Sequence, residues 1–195
     1  MPKKTGKMRP PNKDIKIFSP IILVVLFVFA TLIFSAGCEK KQAIKVGDTP
    51  PPISGNDIHG EDISQNKLKA KLVVIYFWTN SCCGESLKML EPLYIKNRDK
   101  GLAVLAVNVG DKKEIVESYA KSNALTFSML TDEHSSLFKQ FHVFGFPTVF
   151  ILDKNGIVRE KILGDIPIEK LQKLVERQFN IQKEIEANYE KIHPR

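Results

Sequence analysis

The strongest constraint on the fold is a run of apolar residues near the middle of the chain, residues 71–78 (KLVVIYFW). β-branched and aromatic side chains fill this run without polar alternation, so a strand buried on both faces is predicted. A second run, residues 102–109 (LAVLAVNV), has the same character. Strands of this kind need helices on both faces of their sheet. The sequence therefore predicts an α/β domain with the first run at the centre of its sheet.

The segments around these two strands support the same architecture. Apolar residues at helical spacing predict a helix over residues 84–96, with a kink at Pro92. A second helix is predicted after Asp111, whose side chain is suited to cap it. The predicted helices cover residues 84–96, 111–122, 132–141 and 167–179. The remaining predicted strands cover residues 148–152 and 157–163, joined by the turn Asp-Lys-Asn-Gly, and a short hairpin covers residues 53–63.

Residues 1–37 have the layout of a secretory signal. A basic stretch precedes the nearly all-apolar residues 21–34, and small residues stand directly before Cys38. The end of this segment resembles a bacterial lipobox, although Ser35 stands where leucine is usual. The layout predicts either lipidation of Cys38 after cleavage or an uncleaved membrane anchor. Both alternatives place the rest of the chain on the outer, periplasmic side of a membrane.

The positive charge of the chain is concentrated in this N-terminal segment. The formal net charge is +7, and the segment carries +5 of it, with six basic residues against one acidic residue. The remaining +2 does not mark the folded part as a nucleic-acid-binding protein. The chain is predicted to consist of the signal or anchor 1–37, a linker 38–45, a domain 46–179 and a charged C-terminal extension 180–195.

The cysteines indicate catalysis rather than a disulfide framework. With Cys38 assigned to lipidation, only the adjacent pair Cys82 and Cys83 remains, and two neighbouring cysteines staple nothing together. This pair stands where the central strand gives way to a helix, and a helix N-terminus favours thiolate over thiol. Thiolate is the nucleophile of disulfide exchange. We therefore predict Cys82 and Cys83 as catalytic residues, against the alternative of two buried, inert thiols.

Three motifs are distributed over residues 46–179. They are Val-Gly-Asp at 46–48 followed by prolines at 50–52, the strand 74–78 leading to the cysteines, and VFGFPTVFILD at 143–153 followed by glycine at 156. Together they resemble the extracytoplasmic thioredoxin-like proteins of the TlpA/ResA type, within the wider redoxin (AhpC/TSA) group. The resemblance implies a thioredoxin-like fold, a central mixed β-sheet flanked by helices. It also implies that Pro147 is cis, and that Phe146 and Pro147 bind the substrate opposite the cysteines.

The predicted active site departs from that family. The usual motif is Trp-x-x-x-Cys-x-x-Cys, and counting forward from Trp78 places Glu85 at the second cysteine. Counting back from the helix takes Cys83 as the first cysteine and places Ser86 at the second. Neither frame retains the second thiol, which normally releases the substrate by attacking the mixed disulfide. Trp78, Glu85 and Ser86 are predicted as supporting residues of the site.

The residues leave open how the reaction is completed. Cα atoms of consecutive residues lie about 3.8 Å apart, whereas disulfides prefer about 4.4–6.8 Å, so a bridge between Cys82 and Cys83 departs from the usual geometry. In the alternative, one cysteine works alone through a mixed disulfide or a sulfenic acid, and an external thiol rescues it.

Taken together, these features predict a membrane-tethered, extracytoplasmic thiol-disulfide oxidoreductase. Its partners are expected to be protein or small-molecule thiols and disulfides and an upstream reductant or oxidant protein, with no nucleic acid, no cofactor and no metal. One alternative is a thiol-dependent peroxidase, because Thr79 and Cys82 match part of a peroxiredoxin motif. The other is a non-enzymatic thiol module such as a copper metallochaperone, for which His134 or His142 could supply a third ligand.

Overall fold

A computed structural model describes residues 43–64, 68 and 70–193. The chain forms two units, residues 1–40 and 41–195, and the described residues all belong to the second. The predicted signal or anchor, the lipidation site Cys38 and most of the predicted linker lie outside the described residues. Within the described ranges, no helix is both long enough and apolar enough to cross a bilayer.

Among the described residues, seven strands form two sheets. The strands are β1 (Ser54–Asn56), β2 (Asp62–Ser64), β3 (Leu72–Trp78), β4 (Leu102–Val109), β5 (Ser128–Asp132), β6 (Thr148–Asp153) and β7 (Val158–Leu163). β1 and β2 form the predicted hairpin, and the other five form a sheet in the order β5-β4-β3-β6-β7. β3 pairs in parallel with β4, and β4 with β5, whereas β6 is antiparallel to both β3 and β7. The sheet is therefore mixed, as the resemblance implied.

Five helices of the described part of the chain cover the sheet. They are α1 (Asn80–Lys88), α2 (Leu90–Asn97), α3 (Lys113–Ser122), α4 (Ser136–Gln140) and α5 (Ile168–Ile192), with a short 3₁₀ turn at Arg98–Lys100. The predicted helix over residues 84–96 is two helices that meet at Met89. Pro92 lies in the first turn of α2, where its missing N–H would otherwise have bonded the Lys88 carbonyl and continued α1.

The alternating side chains of β3 build two hydrophobic cores, one on each face of the sheet. Leu72, Val74, Tyr76 and Trp78 face α1, α2, α3 and α5. Val73, Ile75 and Phe77 face the opposite core, which includes Phe141 and Phe150. Every residue of β3 is buried, which is the reason for its unbroken apolar sequence.

Two elements differ from the sequence expectation. β5 was not predicted, because it is a short edge strand in which half-buried polar residues interrupt the apolar ones. The helix expected to end at residue 179 continues to Ile192, through the residues expected to form a charged extension. Gln182 is buried in this part, and Glu186 pairs with Lys71 at 3.3 Å and Lys154 at 3.0 Å. These contacts hold the charged segment on the domain.

The residues just before the domain pack onto its edge strand. Gly47 donates a backbone hydrogen bond to Val158 of β7, and Val158 donates to Asp48. Ile44 is buried, and its carbonyl accepts a hydrogen bond from Lys161 Nζ at 2.9 Å. The described part of the predicted linker is therefore joined to the sheet by hydrogen bonds.

Candidate active site

Strand register brings the two predicted halves of the site to one edge of the sheet. Phe77 pairs with Thr148 in the antiparallel ladder, so the end of β3 and the start of β6 lie side by side. α1 begins two residues after β3, and Pro147 directly precedes β6. In the parallel ladder Trp78 pairs with Asn108, which adds the loop after β4 to the same edge. The cysteine-bearing helix and the proline loop thus start from adjacent strand ends.

Cys82 and Cys83 are joined by a disulfide in the first turn of α1. The two residues differ in exposure: Cys82 lies on the surface, whereas Cys83 is only 3% exposed. Cys83 belongs to the same hydrophobic core as Trp78 and Leu87. A molecule approaching from solvent therefore meets Cys82 first.

The loop after β4 holds the start of this helix. The backbone N–H of Asn80 donates to Asp111 Oδ2 at 3.0 Å, and the side chain of Asn108 donates to the same oxygen at 2.9 Å. The sequence instead predicted Asp111 as the cap of the following helix, which is wrong. The residue before α3 is Lys112, no side-chain hydrogen bond caps that helix, and the Asp111 carboxylate serves α1. A contact across 31 residues leaves no local signal in the sequence.

Tyr119 of α3 packs against the turn that carries the cysteines. Its hydroxyl donates a hydrogen bond to the carbonyl of Gly84, and its ring lies 5.0 Å from that of Trp78. A Cβ placed on Gly84 would lie 3.1 Å from the Tyr119 ring, so the two residues fit only because Gly84 has no side chain. Burial, with a smaller contribution from Glu85, raises the pKa of Tyr119 to about 12, so the hydroxyl remains a donor. In the sequence Tyr119 is one of the apolar residues at helical spacing in the predicted helix 111–122, and no local pattern links it to the cysteines.

The predicted supporting residues occupy different environments. Trp78 is fully buried beneath the helix. Glu85 is exposed and forms an ion pair with Lys88 at 2.6 Å, one turn along α1. Ser86 is half-buried beside Tyr76, whose pKa is raised well above its usual range, chiefly by burial and then by the charge of Asp165.

The proline loop forms the other wall of the site. The Phe146–Pro147 peptide is cis, as the resemblance implied. Pro147 is buried, and its carbonyl accepts a hydrogen bond from the N–H of Gly164 at 2.8 Å. Phe146 is half-buried, with its ring 5.2 Å from that of Phe138. These contacts fix the loop to both the sheet and α4.

Large apolar side chains lie exposed beside this loop. Phe144 is 74% exposed, and Leu163, the partner of Thr148 in the ladder between β6 and β7, is 62% exposed. Leu163 also lies near Gly145, because a Cβ built there would be 3.7 Å from its side chain. The sequence analysis did not select Phe144 or Leu163 as candidate site residues. The sequence could have indicated these two residues only through their position, because they are apolar and stand in a loop and at a strand end that face solvent.

The described residues contain no group of side chains that suits the copper alternative. Within residues 43–64, 68 and 70–193, no group of three or more histidine, cysteine, aspartate or glutamate side chains is placed to hold a metal ion.

Comparisons with known proteins give the fold and the family. The AhpC/TSA family profile matches residues 46–161. The thiol-disulfide oxidoreductase ResA of Geobacillus kaustophilus is 31% identical over 158 residues, which cover 80% of this chain and 91% of the relative. The crystal structure of StoA from Bacillus subtilis is 28% identical, with a TM-score of 0.55 over 64% of this chain and 96% of that one.

A second solved structure supports the fold alone. It is a thiol:disulfide interchange protein of the thioredoxin family from Chlorobium tepidum, with a TM-score of 0.63, 20% identity, and coverage of 70% of this chain and 99% of that one. The predicted α/β class and thioredoxin-like fold are therefore confirmed. The chain belongs to the AhpC/TSA family, and the ResA thiol-disulfide oxidoreductases are among its relatives.

Proposed function

We propose that this protein is a thiol-disulfide oxidoreductase whose reactive group is the disulfide between Cys82 and Cys83. The observation that carries the proposal is the asymmetry of that pair, with Cys82 exposed and Cys83 buried at the start of α1. A single adjacent pair thereby supplies both the sulfur that meets the substrate and the sulfur that leaves. Cys83 thereby takes the role of the usual second cysteine, whose position is occupied here by Glu85 or Ser86.

The exchange proceeds in two balanced steps. A substrate thiolate attacks Cys82 Sγ, a bond forms between these sulfurs, and the bond to Cys83 breaks with its electron pair remaining on Cys83. A second substrate thiolate then attacks the substrate sulfur of the mixed disulfide, which releases Cys82 as thiolate. The substrate leaves as a disulfide, and the protein retains two reduced cysteines. A redox partner protein returns them to the disulfide, or the same steps run in reverse to reduce a substrate.

The two reduced cysteines lie in different surroundings, and these favour different roles for them. Cys83 lies in an apolar core, where burial disfavours the charged form, so its thiolate takes up a proton after leaving. Cys82 lies on the surface in the first turn of a helix, where backbone N–H groups and the helix dipole favour thiolate. We therefore assign attack on substrates to Cys82 and the resolving step to Cys83.

The surface around the proline loop supports a protein substrate. Phe146 and Pro147 belong to the proline loop of the site, and the exposed Phe144 and Leu163 extend this surface with apolar area. An exposed apolar surface beside a reactive group is typical of a site that docks another chain. An extended segment with apolar side chains next to its cysteine fits this surface.

The N-terminal segment supports a location in the cell envelope. Its basic, apolar and small residues follow the order of a secretory signal, so residues 1–37 are proposed to tether the domain to the outer side of a membrane. Lipidation of Cys38 and an uncleaved anchor remain the two forms of this tether. Either form keeps Cys82 and Cys83 in a compartment where disulfides persist.

The test measures exchange by the full-length chain in detergent with a synthetic peptide that carries two cysteines. The native protein is expected to oxidise the peptide and to lose its own disulfide in equal amount, as measured by mass spectrometry of alkylated cysteines. The Cys82→Ser variant is expected to have no exchange above the buffer rate. For the Cys83→Ser variant the same peptide is supplied as its disulfide. The Cys82 thiolate is expected to open that bond and form a mixed disulfide, which persists once the freed peptide thiol is alkylated, because no Cys83 is present to resolve it.

Cys38→Ser serves as the matched control, because it removes the remaining cysteine outside the described residues. It is expected to leave exchange in detergent unchanged. Full exchange activity in both Cys82→Ser and Cys83→Ser would overturn the proposal. Consumption of hydrogen peroxide without peptide oxidation would instead support the peroxidase alternative.

A further inference from the structure

A cavity lies beside the cysteine-bearing helix, between the joint of α1 and α2 and the segment that leads into α5. Its volume is about 170 Å³. Met89, Leu90 and Leu171 are among its apolar lining residues, and three side chains bring oxygen atoms to it: Tyr76, Ser86 and Asp165. A volume of this size holds a small organic molecule, because one water takes up about 30 Å³ of the liquid.

The hydroxyl of Tyr76 indicates that the cavity is suited to a ligand. Tyr76 is only 2% exposed, and its buried Oη has no hydrogen-bond partner among the described residues. Ser86 lies close enough to influence the pKa of Tyr76, but the geometry of this pair falls short of a hydrogen bond. A buried hydroxyl without a partner is costly, and a polar group placed in the cavity would satisfy it.

The charge of the residues that line the cavity indicates which polar group of a ligand can bind there. Asp165 is exposed, and no ion pair or hydrogen bond to another described residue involves it. None of the described residues that line the cavity is a lysine, an arginine or a histidine. The nearby start of α5 favours anions, and the Asp165 carboxylate already supplies that charge. A primary ammonium group suits this lining, since its three N–H donors can meet the acceptor oxygens of Tyr76, Ser86 and Asp165.

The cavity and the reactive sulfur share one side of α1. Cys82, Ser86 and Met89 follow one another at intervals of four and three residues, which places their side chains along the same helix face. Ser86 lies about 6 Å further along the helix axis than Cys82 at 1.5 Å per residue. A ligand held at Ser86 can therefore extend its other end toward the exposed sulfur.

We propose that this cavity binds the ammonium group of small aminothiols, and that the bound thiol is a substrate of the Cys82–Cys83 disulfide. This inference rests on the proposed function and adds a substrate class to it. The bound aminothiol, as thiolate, attacks Cys82 Sγ, and Cys83 leaves with the electron pair of the broken bond. A second aminothiol attacks the mixed disulfide, so that two aminothiols are oxidised to one disulfide and the two cysteines are reduced.

The test compares three small thiols as reductants of the full-length protein in detergent. They are cysteamine, which carries an ammonium, 2-mercaptoethanol, which is neutral, and 3-mercaptopropionate, which carries a carboxylate. The rate constant for loss of the Cys82–Cys83 disulfide is measured for the native protein and for variants. Comparing each variant with the native protein for the same thiol cancels the intrinsic reactivity of that thiol.

Asp165→Asn is expected to lower the cysteamine rate constant roughly two- to fivefold relative to that of 2-mercaptoethanol, the range of an exposed ion pair. Tyr76→Phe is expected to lower the same ratio, which a long-range effect of charge alone would not do. Asp99→Asn is the matched control. Asp99 is an exposed aspartate in the turn before β4, at the opposite end of that strand from the site.

A second readout does not depend on reaction. Ethylammonium, which has no thiol, is expected to shift the amide resonances of Asp165, Ile166 and Ile168 in the native protein and not in Asp165→Asn. Unchanged ratios in both Asp165→Asn and Tyr76→Phe, with all three thiols still reducing the disulfide, would overturn this inference and leave the proposed function intact. Failure of every thiol to reduce the disulfide would overturn the proposed function itself.

Discussion

The candidate site has two walls at the same edge of the sheet. The helix wall is formed by α1 with its cysteines, and the loop wall by the loop that ends at Pro147. The two walls depart from the family pattern to different degrees. The loop wall keeps the expected motif and the cis peptide at Pro147. The helix wall keeps the strand and the helix but replaces the usual pair of separated cysteines by the adjacent pair Cys82 and Cys83. The scaffold that positions the reaction is therefore retained where the reacting group has changed.

The walls also differ in how they are held. The helix wall depends on side chains distant in sequence, with Asp111 bonded to the first turn and Tyr119 bonded to Gly84. The loop wall is held by backbone contacts near strand ends and exposes Phe144 to solvent. Substitutions in the helix wall should therefore affect both stability and exchange, whereas substitutions at the exposed part of the loop wall should affect docking alone.

The largest effect is expected from removing the side chain that anchors the helix wall. Leu87 of α1 is fully buried, and Leu87→Ala should lower the free energy of unfolding by about 2–5 kcal/mol. Denaturant unfolding of the disulfide-bonded protein measures this. Glu184→Ala on the exposed surface of α5 is the control and should change the free energy by less than about 0.5 kcal/mol. Equal effects of the two variants would show that α1 is not anchored through Leu87.

A smaller effect is expected where Gly84 meets Tyr119. Gly84→Ala places a Cβ 3.1 Å from the Tyr119 ring, and such overpacking costs about 1–3 kcal/mol, against about 1 kcal/mol gained from helix propensity. The net loss should be about 1 kcal/mol. In a Tyr119→Ala background the clash is absent, so Gly84→Ala should become neutral or stabilising there. The same loss in both backgrounds would contradict this packing.

Removing the hydroxyl that bonds the cysteine turn should cost less. Tyr119→Phe is expected to lower the free energy of unfolding by about 0.5–1 kcal/mol at neutral pH. The pKa of Tyr119 is about 12 in the folded protein, above its ordinary value of 10.0. The unfolded chain therefore ionises first, and the stability of the native protein falls as the pH rises from about 10 through about 12.

The difference between the native protein and Tyr119→Phe should therefore shrink across that pH window. Both proteins retain the other tyrosines, so their shared titration cancels in the difference. Urea unfolding at several pH values measures it. A constant difference from neutral pH to pH 12 would contradict the buried, donating role of this hydroxyl.

The smallest effect on stability is expected at the loop wall. Phe144 is 74% exposed, so Phe144→Ser should change the free energy of unfolding by less than about 0.5 kcal/mol. It should raise the KM for an extended apolar peptide several-fold and leave reduction by 2-mercaptoethanol unchanged. Tyr189→Ser is the control for loss of surface aromatic area, because Tyr189 is 64% exposed and lies near the end of α5. An unchanged KM would show that peptides dock elsewhere.

The sequence was most informative where a local pattern matched the local structure. The buried runs became β3 and β4 because every residue in β3 and nearly every residue in β4 meets the core. The mixed sheet, and the expectation that the proline loop faces the cysteines, came from the family resemblance. Neither follows from periodicity, because strand pairing depends on contacts between distant segments.

The parts that escaped prediction depend on such distant contacts. Asp111 stands two residues before the start of α3, so a local pattern favours it as that helix's cap, yet its carboxylate bonds Asn80 across 31 residues. The residues after 179 were predicted as a charged extension, although Ile181, Ile185, Tyr189 and Ile192 recur at helical spacing. These apolar side chains are exposed, and ion pairs from Glu186 to Lys71 and Lys154 hold the segment on the domain. The cavity at Tyr76 is invisible in sequence, because β3, α1, α2 and α5 with the segment before it all contribute to its lining.

The central claim is that Cys82 is the sulfur that meets the substrate and Cys83 the sulfur that leaves. It is tested most directly by treating the full-length disulfide-bonded protein with a peptide that carries one thiol, quenching with acid, and mapping the adduct by mass spectrometry. The account predicts that the peptide is attached to Cys82 while Cys83 is free to be alkylated. An adduct found on Cys83, with Cys82 free, would contradict it.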